Sequence, residues 1–344
     1  MLVISLGIIG TGGIARAHAP GWLAHAQAIY LYSLQGAEEF ARELEQMQER
    51  NPGLTGGRHV PIQVCSQLPE MLESVEAVDI CTPTDTHAEL ARQALEAGLD
   101  VLCEKPLART LDQAEETASL AHSCHRTLYP AHVVRFFPAY VQAKKAVERG
   151  EIGQLAVCRF RRAGSYPSWS SWFADEERSG GLVMDLAIHD LDQALWIAGP
   201  VDTVYATLAH AQGEGDLPIE MLDCTLTHSS GAVSQVQAIW GPPGMRFTTE
   251  FSLAGTTGKL SYASAHDLPI STNGGSDGAT TIPSSSGPSP YTAEIEDFLA
   301  TRAHHDHEPV VSAIDGIAAI RLAQAVARSI QTNSPVTCHN LEVA

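Results

Sequence analysis

The feature that most constrains this chain is a glycine-rich turn between an apolar run and a helical segment. Residues 2–9 are almost continuously apolar, which is typical of a strand buried on both faces of a parallel sheet. Residues 10–15 then read Gly-Thr-Gly-Gly-Ile-Ala, and helical periodicity begins at Ile14. A turn of this kind leaves backbone N–H groups exposed at a helix N-terminus, where they can hold an anion.

The spacing of this turn fits the pattern G-x-G-x-x-G/A of dinucleotide-binding proteins. Gly10 permits the sharp turn, Gly12 lets a pyrophosphate approach the backbone, and Ala15 is small enough for close helix–strand packing. The turn predicts that NAD or NADP is the cofactor. The candidate cofactor-binding residues of the turn are Gly10, Thr11, Gly12, Gly13 and Ile14.

The end of the second predicted strand leaves the choice between the two cofactors open. A carboxylate expected about twenty residues after the turn would bind the ribose 2′-OH of NAD. Residues 32–36 read Tyr-Ser-Leu-Gln-Gly and contain no acid. Ser33 is the candidate residue at this place, but no arginine follows closely to bind a 2′-phosphate.

The hydrophobic pattern divides the chain into two domains. Strands near residues 29–32, 75–81 and 101–103 alternate with helices, which predicts parallel βαβ units and a doubly wound sheet. After about residue 130 the pattern changes to strands with one solvated face, which predicts an α+β domain with a large, mostly antiparallel open sheet. We place the division at 1–129 and 130–344.

Further local patterns predict two helix starts, the strands of the second domain and one surface loop. The spacings of Thr86 with Glu89 and of Thr110 with Gln113 predict capping boxes at two helix starts. The second-domain strands are expected at residues 156–162, 203–208, 222–227, 233–239 and 247–253. Residues 273–290 are rich in Ser, Gly and Pro, which predicts a surface loop.

Charge and composition exclude several classes of partner. The formal net charge is −19, from 21 Lys and Arg against 40 Asp and Glu, so phosphate backbones and anionic membranes should repel the chain. No apolar run approaches the roughly 20 residues that span a bilayer. The seven cysteines are scattered without a CxxC pair, which favours reduced thiols and, with no basic leader at the start, a cytoplasmic protein.

Two further strand ends carry polar chemistry. Thr82 and Pro83 follow one predicted strand, with His87 close behind, and Glu104-Lys105-Pro106 follows the next. Ligands of open α/β sheets bind beyond the carboxyl ends of the strands, so both ends should lie beside the glycine turn. Lys105 there is either a proton donor that binds a reacting hydroxyl or a solvated loop lysine; its chemistry alone does not decide.

A helix in the second domain carries an acid and a histidine at helical spacing. Asp185 and His189 are four residues apart and share a face, which suits His189 as a general acid–base and Asp185 as its partner. An acid at a helix start with an ordinary surface histidine explains the spacing equally well. The stripe lacks a third strong metal ligand, and the His-rich residues 304–308 are expected to be a solvated loop, so we predict no metal site.

These motifs together resemble the Gfo/Idh/MocA oxidoreductase family over nearly the whole chain. The resemblance implies an N-terminal Rossmann domain and hydride transfer between NAD(P) and a CH–OH carbon of a sugar, cyclitol or related polyol. By position it implies Lys105, His189 and Asp185 as catalytic residues. It further implies that the cofactor is contacted by Thr82, Pro83, His87, Glu104 and Lys105, with Arg135 near the site. It also implies a homo-oligomer, a dimer or tetramer, formed through the open sheet.

Two other functions stay open at this point. The family includes nucleotide-binding regulators without turnover and enzymes that act on glycosides while retaining NAD. The proton-transfer groups Lys105, Asp185 and His189 argue against a regulator, because a sensor does not need them.

Overall fold

The computed structural model describes residues 3–213, 215, 217–266, 270–274, 280–282, 288–304 and 306–338. The chain forms two compact units, each with its own sheet. The described parts of residues 1–136 and 287–316 make the first unit, and those of residues 137–286 and 317–344 make the second.

The first unit contains the doubly wound parallel sheet that the alternating pattern predicts. Its six strands are β1 Ile4–Ile9, β2 Ala26–Tyr32, β3 Ile62–Val64, β4 Ala77–Ile80, β5 Asp100–Glu104 and β6 Leu128–Ala131. They are ordered β3-β2-β1-β4-β5-β6, the arrangement of a Rossmann fold. Strands β4, β5 and β6 are buried along their whole length, as strands covered by helices on both faces must be.

The helices of this unit follow the strands in the expected alternation. They are α1 Gly13–His25, α2 Ala37–Arg50, α3 Leu68–Leu72, α4 His87–Glu96, α5 Leu111–Ser123 and α9 Pro290–Ala303, with 3-10 turns at Thr84–Thr86 and Val133–Phe136. Of the two predicted capping boxes, the one formed by Thr110 and Gln113 is confirmed. The one at Thr86 is wrong, because the Thr86 hydroxyl donates to the Pro83 carbonyl and the Glu89 carboxylate pairs with Arg92.

The compact units differ from the expected division at residue 129, because the chain returns to the first unit near its end. Helix α9 packs on α1, where the Phe298 ring meets the Trp22 and Tyr129 rings edge-on at 6.1 and 6.0 Å between centroids. All three side chains are buried. A long-range return of this kind leaves no signal in local periodicity, so a boundary drawn from pattern alone misses it.

The second unit is built on one mixed, mostly antiparallel sheet of nine strands. These are β7 Leu155–Ser165, β8 Val201–Gln212, β9 Pro218–His228, β10 Val233–Gly241, β11 Thr248–Gly255, β12 Gly258–Ala263, β13 Ile270–Gly274, β14 Thr280–Ile282 and β15 Val336–Thr337. They are ordered β14-β13-β12-β11-β7-β10-β9-β8-β15, and only β7 and β10 pair in parallel. The alternating burial along β9 confirms that one face of the sheet is solvated.

The remaining helices belong mainly to this unit. They are α6 Pro138–Glu148, α7 Glu176–Ser179, α8 Ile188–Ala198 and α10 Ala313–Thr332, with 3-10 turns at Ser171–Ala174 and Ser264–His266 and a π-helical turn at Val183–Ala187. All five strands expected in the second domain are found. The sequence predicts a surface loop at residues 273–290. Residues 273–274 are instead the end of β13 and residues 280–282 form β14, and most of the remaining residues lie outside the described ranges.

All seven cysteines are free thiols, six of them buried. Among the residues that the structure describes, no helix is both long enough and apolar enough to cross a membrane.

Removing the Phe298 ring should show that the returning helix is part of the first unit's core. We expect Phe298→Ala to lower the free energy of unfolding by about 3–5 kcal/mol, because it leaves a cavity among buried rings. Urea denaturation measures the loss. Phe247→Ala is the matched control, since its ring is 58% exposed and its removal should change stability little. Equal losses in the two variants would contradict this packing role.

Candidate active site

The glycine turn forms an open cradle at the N-terminus of α1. Gly10 has a positive φ of 92°, and a Cβ there would lie 2.7 Å from the Cys81 carbonyl oxygen, so the strand-to-helix turn itself requires glycine. A Cβ added at Gly12 or Gly13 would meet no atom of the described residues within 4 Å. No acidic residue lies in the first turn of α1. The helix therefore presents N–H groups to open space that suits a pyrophosphate.

The end of β2 is held beside this cradle by hydroxyl contacts. The Thr11 and Ser33 hydroxyls both donate to the Gln35 carbonyl, at 2.9 and 2.8 Å. Arg16, which sequence reasoning did not single out, also holds the turn: its guanidinium donates to the Thr11 carbonyl and to both carboxylate oxygens of Glu43. Ser33 thus stands where the expected acid would be.

The ends of β4 and β5 are tied together by a buried histidine. One ring nitrogen of His87 lies 2.8 Å from the Pro106 carbonyl oxygen, and the other lies 2.8 Å from that of Thr82. Burial lowers the pKa of His87 below its ordinary value, despite these carbonyls. Both nitrogens face the protein, so His87 joins the two turns that carry Pro83 and Lys105; a direct contact with the cofactor stays a prediction.

The Glu104 side chain turns into the protein interior. Its carboxylate is 6% exposed, and Oε2 accepts a hydrogen bond from the Lys105 backbone N–H at 3.1 Å. Its Oε1 faces the ring of His18, a buried residue of α1 that no sequence signal marked. Lys105, by contrast, is partly exposed at the carboxyl edge of the sheet, on the same edge as the glycine turn.

Arg135 is a structural residue of the first unit. Its guanidinium is 3% exposed and donates to the Val310 carbonyl at 2.9 Å and to Asp315 Oδ1 at 3.0 Å. Burial opposes ionisation of Asp315, but the Arg135 charge and hydrogen bonds from Ser312 outweigh it and lower the pKa of Asp315. These contacts hold the segment after α9 against the first unit.

The predicted acid–histidine pair lies where a π-helical turn runs into α8. Asp185 is in the turn, His189 is in the first turn of α8, and both side chains are partly buried. The neighbouring Asp190 is fully buried and makes a two-pronged ion pair with Arg162, at 2.9 and 3.0 Å. Sequence reasoning missed this pair, which fixes α8 against β7 and thereby sets where His189 stands.

The His-rich residues 304–308 are not simply solvated. His307 Nε2 lies 2.8 Å from Asp297 Oδ1 of α9. His305 lies outside the described residues. Asp297 also accepts hydrogen bonds from the Tyr129 hydroxyl and the Val310 N–H, so it anchors this link between the helices.

Family models match both units of the chain. Residues 4–132 match the model of an oxidoreductase family with an NAD-binding Rossmann fold, and residues 140–261 match the GFO/IDH/MocA C-terminal domain. The chain belongs to the Gfo/Idh/MocA oxidoreductase family. The first unit is therefore an NAD-binding domain, and the open glycine cradle fits the dinucleotide that such a domain holds.

Individual relatives support the same assignment. The inositol 2-dehydrogenase of Rhizobium meliloti (strain 1021) is 26% identical over 96% of this chain and 97% of that protein. An uncharacterized oxidoreductase of Synechocystis is 30% identical over 63% of this chain and 57% of that protein. Among solved structures, a levoglucosan dehydrogenase in complex with NADH and L-sorbose has the same fold, with a TM-score of 0.83 at 23% identity over 98% of this chain and 99% of that one.

Substitutions at Gly10 and Gly12 should show that the two glycines serve different purposes, one in folding and the other in cofactor binding. We expect Gly12→Ala to weaken NAD binding about tenfold or more while leaving Tm unchanged, because its Cβ meets only the space that the pyrophosphate needs. Gly10→Ala should lower Tm as well, because its Cβ meets the Cys81 carbonyl. Calorimetric titration with NAD and thermal unfolding measure the two effects. Wild-type NAD affinity in Gly12→Ala would argue against the cradle.

Proposed function

We propose that the protein is an NAD(P)-dependent dehydrogenase acting on a CH–OH group of a sugar, cyclitol or related polyol. The observation that carries this proposal is the shared sheet edge of the first unit, where the open cradle at Gly12 and the partly exposed Lys105 follow strands of the same parallel sheet. The similarity to inositol 2-dehydrogenase over nearly the full length of both proteins supports the substrate class.

Each residue of the first unit has a distinct task in this proposal. The N–H groups of residues 10–14 hold the pyrophosphate, and Ser33 contacts the ribose of the adenosine half. Thr82 and Pro83 line the nicotinamide, with His87 tying their turn to Pro106. NAD(P), when bound, supplies the hydride acceptor or donor. Glu104 faces inward, so its contribution to the cofactor site is made through the backbone of Lys105.

The reaction also needs a group that moves a proton. Oxidation of CH–OH releases a proton from the hydroxyl as the hydride leaves the carbon, and a positioned side chain accepts it. In this proposal the Lys105 ammonium binds the reacting oxygen. His189 exchanges the proton as general acid–base, and Asp185, four residues before it, orients the imidazole or binds substrate.

Aromatic residues of the second unit support a substrate with an apolar ring face. The Trp169 side chain is 76% exposed, with the Phe173 ring 5.5 Å away in an edge-on arrangement. Trp172 stacks on Phe173 at 4.1 Å. An exposed aromatic cluster of this kind marks a surface that binds a ligand or partner, and the C–H face of a sugar or cyclitol fits it.

Removing the side chains proposed to act on the reacting oxygen and its proton should lower turnover without abolishing cofactor binding. With saturating NAD or NADP and a panel of sugars, cyclitols and polyols, we expect Lys105→Ala and His189→Ala to lower kcat about 10²-fold or more. Nicotinamide absorbance gives the rate, and dinucleotide affinity measured separately should stay close to wild type for His189→Ala. Lys145→Ala is the control for loss of an ordinary helix lysine.

The same assay distinguishes the two competing functions. Full activity in both Lys105→Ala and His189→Ala would contradict the assignment of the catalytic residues. Tight dinucleotide binding with no turnover on any substrate would favour a regulator. Turnover without net change in nicotinamide absorbance would favour redox-neutral chemistry on a glycoside.

We further propose a cytoplasmic homo-oligomer, a dimer or tetramer, assembled through the solvated face of the nine-stranded sheet. The seven free thiols support a reducing compartment. Cross-strand register puts Val157, Tyr205 and Met221 on one face, and each is at least 36% exposed. Apolar side chains spread over such a face fit a second copy of the same chain.

A charge placed on this face should dissociate the oligomer. We expect Met221→Glu to shift the mass in light scattering from dimer or tetramer to monomer, because an uncompensated carboxylate would be buried at the contact. Leu34→Glu is the control, since Leu34 is 92% exposed in the other unit. A monomeric wild-type protein would rule out the oligomer.

A further inference from the structure

A buried histidine lies at the centre of the first unit, directly behind the turn that carries Lys105. His18 is on the second turn of α1 and has no exposed surface. Its Nδ1 lies 2.8 Å from Asp79 Oδ2 of β4. Its Nε2 faces Glu104 Oε1 of β5 at 3.3 Å, close enough for an ion pair although the angles are not those of a hydrogen bond. Within the described residues, neither His18 Nε2 nor Glu104 Oε1 has a hydrogen-bond partner.

Two carboxylates on opposite sides of one ring define its protonation. A neutral imidazole has a single N–H and can donate to only one of them, whereas an imidazolium donates from both nitrogens. Burial by itself would lower the pKa of His18, but the charge of the Asp79 carboxylate and its hydrogen bond outweigh burial and raise that pKa well above its ordinary value. The hydrogen bond to Asp79, the close approach of Glu104 and the raised pKa of His18 together point to a buried imidazolium.

His18 is the group of this cluster that carries the positive charge, because the other ionisable groups around its ring are acids and a thiol. Glu294 of α9 is fully buried, and within the described residues neither of its carboxyl oxygens has a hydrogen-bond partner. Burial raises the pKa of Glu294 well above its ordinary value, which favours the uncharged carboxylic acid. Burial also raises the pKa of the Cys81 thiol. The side chains of Asp79 and Glu104 then flank the His18 ring, one at each ring nitrogen.

A metal ion explains this cluster less well. Potential ligand atoms of His18, Asp79 and Cys81 lie within 4.8 Å of one another. However, Asp79 Oδ2 already receives the Trp22 indole N–H at 2.6 Å as well as the His18 contact, and Oδ1 receives the Cys81 thiol. The carboxylate is thus satisfied by donors within the protein.

The cluster reaches the candidate catalytic lysine through Glu104. One Glu104 oxygen faces His18 and the other accepts the Lys105 backbone N–H. We propose that His18 is a positioning residue: as a buried imidazolium it joins Asp79 to Glu104, and the fixed Glu104 carboxylate holds the peptide on which Lys105 stands. The effect on catalysis rests on the proposed role of Lys105. The contacts of His18 with Asp79 and Glu104, which we call the charged bridge, do not depend on that role.

The charge on His18 can be read directly by nuclear magnetic resonance. In ¹⁵N-histidine-labelled protein at pH 8, we expect both ring nitrogens of His18 to be protonated, although an ordinary histidine with a pKa near 6.5 is neutral there. His18→Gln assigns the signals by removing them, and Asp79→Asn, which should shift them, assigns them if the first variant does not fold. A neutral ring at pH 8 overturns the bridge.

Hydrogen exchange tests whether the bridge holds the Lys105 peptide. We expect His18→Gln and Glu104→Gln to reduce the protection of the Lys105 amide about tenfold or more, with the amides of α5 unchanged. His25→Gln is the matched control, because His25 is on the same helix and pairs with Glu296 at 3.3 Å on the surface. Unchanged protection of Lys105 in both test variants overturns the positioning role, whether or not a substrate is known.

A kinetic double-mutant cycle tests whether the effect passes through Lys105. We expect His18→Gln to lower kcat about tenfold or more, with NAD affinity within about twofold of wild type. In the Lys105→Ala background the same change should cost less than about twofold, because groups that act through one another are not additive. Equal losses in the two backgrounds overturn the proposal. Absence of any turnover in the wild type would refute the proposed function, while the resonance and exchange results would still decide the bridge.

Discussion

The close approach of Gly10 to the Cys81 carbonyl is the constraint on which the first unit depends. At this point β1 turns into α1 while lying against the end of β4, and no side chain larger than hydrogen fits between them. The turn therefore directs the N-terminus of α1 towards the carboxyl edge of the sheet, which β4 and β5 share. The cofactor cradle lies at this edge together with the turns that carry Thr82 and Lys105, because parallel strands end on the same side of the sheet.

Behind that edge lies a second constraint, which is electrostatic. The strand ends bring two carboxylates, Asp79 and Glu104, into an interior that cannot hold them unpaired. The single ring of His18 contacts both of them, and α9 adds the buried Glu294, whose pKa burial raises well above its ordinary value. Removal of one member of such a cluster leaves a buried charge uncompensated, which costs more than the pairing itself contributes. The geometry at the Lys105 turn is thus linked to the packing of α1 and of the returning helix.

Local features of this fold were predictable from sequence, and most of the misses involve contacts between residues that are distant in the chain. Local patterns predicted the doubly wound parallel sheet, the cap at Thr110 and the glycine turn, since each depends on residues close in the chain. The Thr86 cap failed because the hydroxyl found a nearer acceptor at Pro83. The packing of α9 on α1, the contacts of His18 and the Arg162–Asp190 pair were missed because the partners are distant in sequence. Nothing in the spacing of a single sequence encodes those contacts.

Each of the two units positions a side chain that is proposed to react, and both do so in the same physical way. In the second unit, Asp190 pairs with Arg162 in the interior, and the adjacent His189 stands at a partly buried position set by that ion pair. In the first, Glu104 turns inward to His18 and to a backbone N–H, and the adjacent Lys105 remains at the sheet edge. In each case a buried acid anchors the backbone one residue away from the group proposed to react. The position of each of these side chains then depends on a buried contact of its neighbour rather than on the surface loop alone.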